Sequence, residues 1–489
     1  MMAVSSSVRT IPENGIAALA GWLAAAVALA GLAAVQPAVA AGAAAGAAAV
    51  AAWRWPRAAG SVGAWVVLAL RPSLDAFSVR RLGLSPFALD PSVIVGVAVL
   101  GLAAVLALRR ARDGRRVWPD RTLLRTHVWL LAAYAIGFYS GSRLYGGAGF
   151  GEGAREMVRV ASIIAAFLLV LWWAEADAGR YRLGWTALAV GAVIPVVVAL
   201  GELVTQVGYR EPSGLLRLEG TFSHPNAFGQ YLAPFVLVAV GAAIAGRGAA
   251  RLGSFAVAAA LSVLVALTYS RTAILVVATG VAVLPLLRGR ALGRGAVARA
   301  VIVVSLFIGL VWLIAGPYVE ERFADISFGT TAWQLAVAGQ SENSFQWRII
   351  NWGGLILLGM DHPLFGHGMG MTTQLNPLSN EENGLPFNAH NDFVRFFFET
   401  GLAGLICYVV YGLLLCSWAL RQVRLAAPAR GPTAQAVAAA LLAMFFLTIG
   451  APELSLNTAS LYALYGMLAL VRAGTPTPSP ASSRPGPAR

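Results

Sequence analysis

The sequence predicts an all-α polytopic membrane protein with 12–14 transmembrane helices, and three observations carry that expectation. Of its 489 residues, 58% are hydrophobic and only 12% charged, with a mean hydropathy of +0.71; a soluble domain carries roughly 25% charged residues. Apolar runs of about 20 residues, long enough to cross a hydrocarbon core of about 30 Å, recur along nearly the whole chain. A single long interruption, residues 317–390, separates the last three runs from the rest.

In chain order, the spans are expected near 15–35, 37–53, 61–77, 88–108, 122–140, 154–174, 183–204, 226–246, 252–269, 272–287, 298–316, 391–420, 434–451 and 456–472. The first run has the length of a signal peptide, but further spans follow at once, so it reads as the first helix. The second is alanine-rich and weakly apolar, and the third is cut by Arg71-Pro72, which is why the count is 12 to 14. Five regions follow: N-terminal helices 1–210, central helices 211–316, a loop or cap 317–390, C-terminal helices 391–472 and a tail 473–489. The 317–390 loop holds Trp347, Trp352 and apolar patches and is expected to fold as a cap on the membrane. The tail is Pro/Ser-rich with nothing to bury and is expected to be disordered.

Charge gives orientation. All 36 basic residues are arginine and the formal net charge is +14. Arginines concentrate at 109–121, 246–251, 288–299 and 421–430, all on one side of the counted spans. The excess of basic residues in short cytoplasmic loops makes that side the cytoplasm. Both termini are then cytoplasmic, and the loops 141–153, 205–225, 270–271 and 317–390 face out, with Arg80 and Arg81 running against the rule. Cys407 and Cys416 stand nine residues apart in one apolar run, about 13 Å along a helix and beyond the roughly 7 Å reach of a disulfide.

Three outward stretches carry chemistry. In "RLEGTFSHPNAFGQYLAPF", from Arg217, Ser223 reads as a helix cap and Pro225 as a first-turn proline, so free N–H groups attract an anion there. His224 and Asn226 read equally as ordinary interfacial polar residues. In "TYSRTAILV", Arg271 occupies a turn with almost no loop; it either snorkels to water or meets an anionic partner. In the long loop, "SFQWRIINWGG" presents Arg348 on a short amphipathic helix. The stretch "FNAHNDFVRFFFETG" then places Asn388 as a cap and His390 in the first helical turn, where the helix dipole keeps an imidazole neutral. A neutral base suits activation of an alcohol, although a histidine at a helix start is also an ordinary hydrogen-bonder. Asp392, Arg395 and Glu399 can satisfy one another along one helix face.

The sequence lacks HExxH, CxxC, Walker and dinucleotide patterns and an outward DxD, so neither metal nor cofactor is expected. Nucleic acid is not an expected partner. An outward-facing reaction has no nucleotides to draw on and needs an activated donor already in the lipid.

Taken together, these stretches resemble the O-antigen ligase/polymerase superfamily of bacterial envelope glycosyltransferases, which are similar to GT-C enzymes. The resemblance rests on His390-Asn391 followed by nine residues and Gly401-Leu402-Ala403-Gly404, on "GTFSHPNAFGQYL" and on "YSRTA", with Arg348 a looser match. It implies a metal-independent inverting transfer of a glycan from an undecaprenyl-diphosphate-linked donor to a hydroxyl of a glycan or lipid acceptor. The setting is the outer face of the bacterial cytoplasmic (inner) membrane. His390 would be the base and Arg271 and Arg348 the diphosphate ligands, with Arg217 added on its own chemistry and Asn391, Asn226 and His224 in support. A polysaccharide polymerase is the leading reading and an O-antigen-type ligase the alternative. Membrane lipids, a flippase and a chain-length regulator are the further partners the resemblance allows. A lipid-linked oligosaccharide flippase or transporter is the reading of another class, and it predicts polar residues within the spans and broken helices near the midplane.

Overall fold

A computed structural model of the chain describes residues 37–77, 91–210, 214–287, 309, 344–376, 378, 388–447 and 458–475. The expected spans 15–35 and 298–316, the arginines of 288–299, Arg80, Arg81, most of the tail and much of the 317–390 loop lie outside these residues.

The protein is an all-α polytopic membrane protein. Its helices are α1 (Pro37–Arg54), α2 (Pro56–Trp65), α3 (Pro91–Arg112), α4 (Arg121–Ala174), α5 (Ala178–Thr205), α6 (Pro225–Ala245), α7 (Gly248–Leu267), α8 (Arg271–Leu286), α9 (Ser344–Gly359), α10 (Thr372–Leu375), α11 (Asp392–Leu425), α12 (Gly431–Leu447) and α13 (Thr458–Ala473). Two short strands, β1 (Tyr209–Arg210) and β2 (Leu216–Arg217), pair antiparallel between α5 and α6. Six helices among the described residues, α3, α4, α5, α6, α7 and α11, have the length and apolar character to cross a membrane, and α8, α12 and α13 are shorter apolar helices.

The third expected span is not one regular helix. After α2 the backbone passes through a π turn at Val66–Leu70 and a 3-10 segment at Arg71–Phe77, because Pro72 cannot donate to an α ladder. Arg71 is buried there, with its guanidinium over the Tyr462 ring at 5.4 Å.

The two spans expected at 122–140 and 154–174 are joined without the expected loop at 141–153. Helix runs up to Gly146 and resumes after it, and Gly146 alone leaves helical geometry (φ 57°, ψ −127°). The arms run antiparallel: Gly141 meets Gly149, Phe138 meets Gly153, and at the far end Trp172 Nε1 donates to the Val117 carbonyl at 3.0 Å. The first arm, 121–145, is about 37 Å long at 1.5 Å per residue, so the Gly146 turn and the Trp172 end lie about a bilayer apart.

That hairpin defines two faces. The second arm is buried on nearly all sides from Val160 to Ala174, as is α13 from Ala459 to Arg472, which is the signature of a helix surrounded by others. Phe167 packs edge-on against Trp418 and Tyr465 at 6.2 Å each, and the Tyr411 and Tyr465 hydroxyls share a 2.6 Å hydrogen bond. The starts of α6, α8 and α11 lie at the Gly146 end, as the contacts below show. At the other end Trp418 Nε1 reaches the α4 cap Asp120 at 2.9 Å, Arg430 Nη1 reaches the Gly474 carbonyl at 2.7 Å, and the Arg430 guanidinium covers Tyr181 at 4.4 Å.

Candidate functional site

At the Gly146 end, α11 begins with an arm of nine residues, 392–400, and then breaks. Gly401 adopts φ 63°, ψ −167°, and the loop 363–368 is threaded through the gap. Leu402 and Ala403 donate their N–H groups to the Pro363 and Leu364 carbonyls at 2.8 and 3.2 Å. The Phe398 and Glu399 carbonyls, which would serve those donors in an unbroken helix, accept instead from His367 and Gly368 at 2.9 and 2.8 Å. The two donors and two acceptors separated by the break are thus all paired, as buried backbone groups require. A Cβ at Gly401 would lie 2.3 Å from the Leu364 carbonyl carbon, and one at Gly366 would lie 2.4 Å from that of Glu399; both positions also have positive φ, so glycine is required on both sides of the crossing.

The inserted loop is tied to the α4 hairpin. Ser140 donates to the Gly366 carbonyl. The Tyr145 hydroxyl donates to His367 Nδ1 at 2.7 Å, while His367 Nε2 donates to the Leu358 carbonyl at 2.8 Å. With both ring nitrogens committed and the ring stacked on Phe398 at 4.8 Å, His367 is a structural histidine. Burial lowers its pKa.

The short arm is fixed from the side by buried charge. Arg395 pairs with Glu399 one turn on at 3.0 Å and with Glu156 of α4 at 2.9 Å. Glu399 Oε1 also accepts from the Thr372 hydroxyl at 2.7 Å. Asp392 accepts from the Tyr408 hydroxyl at 3.1 Å.

His390 stands just before this arm and is not in its first turn. Asn391, not Asn388, is the N-cap, its side chain accepting from Phe393 and Val394 N–H at 2.9 and 3.2 Å. The dipole account of a neutral ring is therefore replaced by another. His390 has φ 53°, an uncommon backbone state for a non-glycine residue and one that clusters at functional sites. Its imidazole is held at a pKa of about 3, first by burial, then by the nearby Arg348 guanidinium, then by His224.

Helix α9 builds the wall opposite. Asn351 Nδ2 donates to the Asn388 carbonyl at 2.9 Å and Trp352 Nε1 to the Ala389 carbonyl at 2.7 Å, and Asn351 Oδ1 in turn accepts from Asn376 at 2.8 Å. These contacts hold the two carbonyls that precede His390. One turn earlier, Trp347 meets the imidazole edge-on at 5.6 Å. Arg348, Asn351 and Trp352 occupy positions i, i+3 and i+4 of one helix face, a spacing that could have marked Asn351 and Trp352 as positioning residues. The sequence reading singled out only Arg348.

The third side is the segment entering α6. His224, not Ser223, is the N-cap, its Nδ1 accepting from Asn226 N–H at 3.1 Å. Burial, then Arg217, then Arg348 bring its pKa down to about 4. Arg217 is buried beneath it, donating from Nε to the Thr268 carbonyl and from Nη2 to Asn226 Oδ1, each at 2.8 Å. Burial lowers its pKa to about 10, so it remains cationic at neutral pH. Thr268 begins the turn into α8, capped by Ser270, and Arg271 follows as the half-buried first residue of that helix. The α6 and α8 starts touch at Gly229, where a Cβ would lie 2.8 Å from Ala273 and 2.9 Å from Thr268.

The structure thus gathers His390, Arg348, His224, Arg217 and Asn226 by contact or by charge. Arg271 enters through the Thr268–Ser270 turn on which Arg217 docks. Among the described residues no group of three or more His, Cys, Asp or Glu is placed to hold a metal ion.

Residues 256–409 match the family described as O-antigen ligase. The match supports the O-antigen ligase/polymerase superfamily for this segment of the chain. No curated protein matches it. The O-antigen ligase segment contains Arg271, Arg348, His390 and Gly401; Arg217, His224 and Asn226 precede it. The family is one of glycosyltransferase-like enzymes acting on lipid-linked glycans.

Proposed function

We propose that the protein is an inverting glycosyltransferase of the O-antigen ligase/polymerase type, passing a glycan from an undecaprenyl-diphosphate-linked donor to a hydroxyl acceptor at the outer face of the cytoplasmic membrane. The observation that carries this reading is that one guanidinium, Arg348, acts on two half-buried imidazoles, His224 and His390. Cationic charge and a neutral base thereby adjoin in one site. The outward orientation is supported by the arginine-rich ends 109–121, 246–251 and 421–430, which lie on the face away from the site.

In the proposed reaction His390 takes the proton of the acceptor hydroxyl as its oxygen attacks the anomeric carbon. The anomeric C–O bond to the diphosphate breaks, and the lipid diphosphate leaves with the electron pair. Arg348 and Arg271 meet the charge that grows on the leaving group, which lowers the barrier more than it tightens ground-state binding. Arg217, with two N–H directions committed to Thr268 and Asn226, adds charge from below and sets the α6 start. A pKa of about 3 describes the ring without donor. A bound diphosphate offsets the charge of Arg348 and raises that pKa, so donor binding strengthens the base when it is needed.

Polymerase is the favoured form and ligase the alternative. Purified protein is incubated with a defined lipid-linked repeat unit, with and without a second acceptor, and the products are sized. A ladder from donor alone supports a polymerase, and product formed only with a lipid, wall-polymer or protein acceptor supports a ligase. Scrambling of intact donor across vesicles without release of lipid diphosphate overturns the enzyme reading in favour of a transporter.

A further inference from the structure

The face opposite the site contains a cleft of about 560 Å³ where the start of α2, the end of α3, the end of α4 and the start of α5 meet. Its deep wall is apolar, formed by Leu106, Leu169 and the rings of Trp172 and Trp173. The indole N–H groups point elsewhere, to the Val117 carbonyl and the Ser61 hydroxyl, so the rings present carbon to the cavity.

Its mouth is cationic. Five arginines line it, against Asp113 and Asp177. Arg180 pairs with Asp177 at 3.0 Å, and Arg110 pairs weakly with Glu175, just beyond the lining, at 3.9 Å. Five positive charges against these three carboxylates leave a surplus of two. Arg109 is aimed by the Ala52 and Trp53 carbonyls at 3.2 and 2.5 Å. Arg115 brings a like charge to Arg110, a smaller influence than the attraction of Glu175.

Positive charge on this face is common in membrane proteins and by itself means little. Arg247 and Arg251 illustrate the ordinary case: they stand at the α6–α7 turn, outside this cleft. The cleft differs because arginines surround a cavity with an apolar floor, near the level where a bilayer changes from hydrocarbon to headgroup. Basic pockets between membrane helices on the cytoplasmic side are suited to phosphate-bearing lipid headgroups, and guanidinium forks to phosphate oxygens.

We propose that this cleft is a binding site for the phosphate of an anionic phospholipid, with Arg57, Arg109 and Arg115 on the phosphate and Leu106, Leu169, Trp172 and Trp173 along the acyl chain. It is distinct from the glycan-transfer site, from which it is separated by the length of the α4 arms. Arg57 and Arg115 are exposed and in no ion pair among the described residues, so their substitution leaves the bundle intact.

The test is native mass spectrometry of the full-length protein with cardiolipin, phosphatidylglycerol and phosphatidylcholine, comparing the wild type, the Arg57→Gln/Arg115→Gln double variant and an Arg247→Gln/Arg251→Gln control. The wild type is expected to retain the anionic lipids over phosphatidylcholine. The double variant should lose about tenfold of that retention, and the control should keep it, with all three showing the same thermal unfolding. Added inorganic phosphate identifies the source: displacement of the lipid shows that the phosphate alone is recognised, and persistence shows that the acyl chain contributes. Equal retention by the double variant and wild type overturns the site, as does an equal loss in the control, which would reduce the effect to diffuse surface charge.

Discussion

Helices α6 and α11 both start beside the site with a histidine, and they use it differently. His224 is itself the cap of α6, its ring nitrogen spent on the Asn226 N–H, and the helix behind it runs unbroken for 21 residues. At α11 the cap is Asn391, one residue past the histidine, and the helix breaks after nine residues at Gly401. Moving the capping duty to the neighbour releases His390 from it and lets the ring turn toward Trp347 and Arg348. The short arm behind it, pinned at one end by the inserted loop and along its side by Arg395, cannot slide. One imidazole builds a helix start, and the other is presented by one.

The difference can be probed in descending order of effect. Arg395→Leu leaves Glu399 buried without its ion-pair partner, and losing one member of a buried pair costs about 3–5 kcal/mol. Thermal unfolding in detergent should fall sharply, whereas no substitution at His224 should approach that loss. Arg348→Ala should lower kcat/KM on the order of 10²- to 10³-fold, as for removal of a group that meets transition-state charge, with donor binding weakened as well. The same change on the His224 side should act mainly through the shared site.

Caps come next. Asn391→Ala should cost about 1 kcal/mol of stability and reduce transfer, because the residue that orients His390 is lost. His224→Asn should be near-neutral in stability, since asparagine caps as well as any residue. Acid probes both rings together. Both ring pKa values lie below the ordinary 6.5, at about 3 for His390 and about 4 for His224, so the unfolded chain binds these protons more tightly. Stability should therefore rise with pH between about 3 and 6.5, and a His390→Phe variant should flatten that slope in thermal unfolding measured across the range.

Much of the membrane architecture was legible in the sequence because apolar length is a local property. The starts of α6, α8 and α11 fell within a residue of the expected spans, and the turn holding Arg271 was anticipated. The α4 hairpin was not anticipated as such: the glycine-rich stretch after Tyr145 looks like a loop, yet glycines also let two helical arms touch. At the site, cap identity was missed at both helix starts, because Ser223 and Asn388 have the right chemistry but only tertiary packing decides which residue precedes the first helical turn. The threading of 363–368 through Gly401 was illegible for a stronger reason. It depends on hydrogen bonds between segments more than thirty residues apart, and its only local trace is the spacing of glycines in "GHGMG" and "GLAG".

The central claim is that His390, kept neutral by burial and by Arg348, accepts the acceptor proton while cationic side chains hold the diphosphate. Its most direct test is single-turnover transfer by purified His390→Ala, with binding of labelled lipid-linked donor measured on the same preparation. The account predicts a fall in product formation on the order of 10²- to 10⁴-fold with donor binding retained. Near-normal product from a folded His390→Ala protein would contradict it.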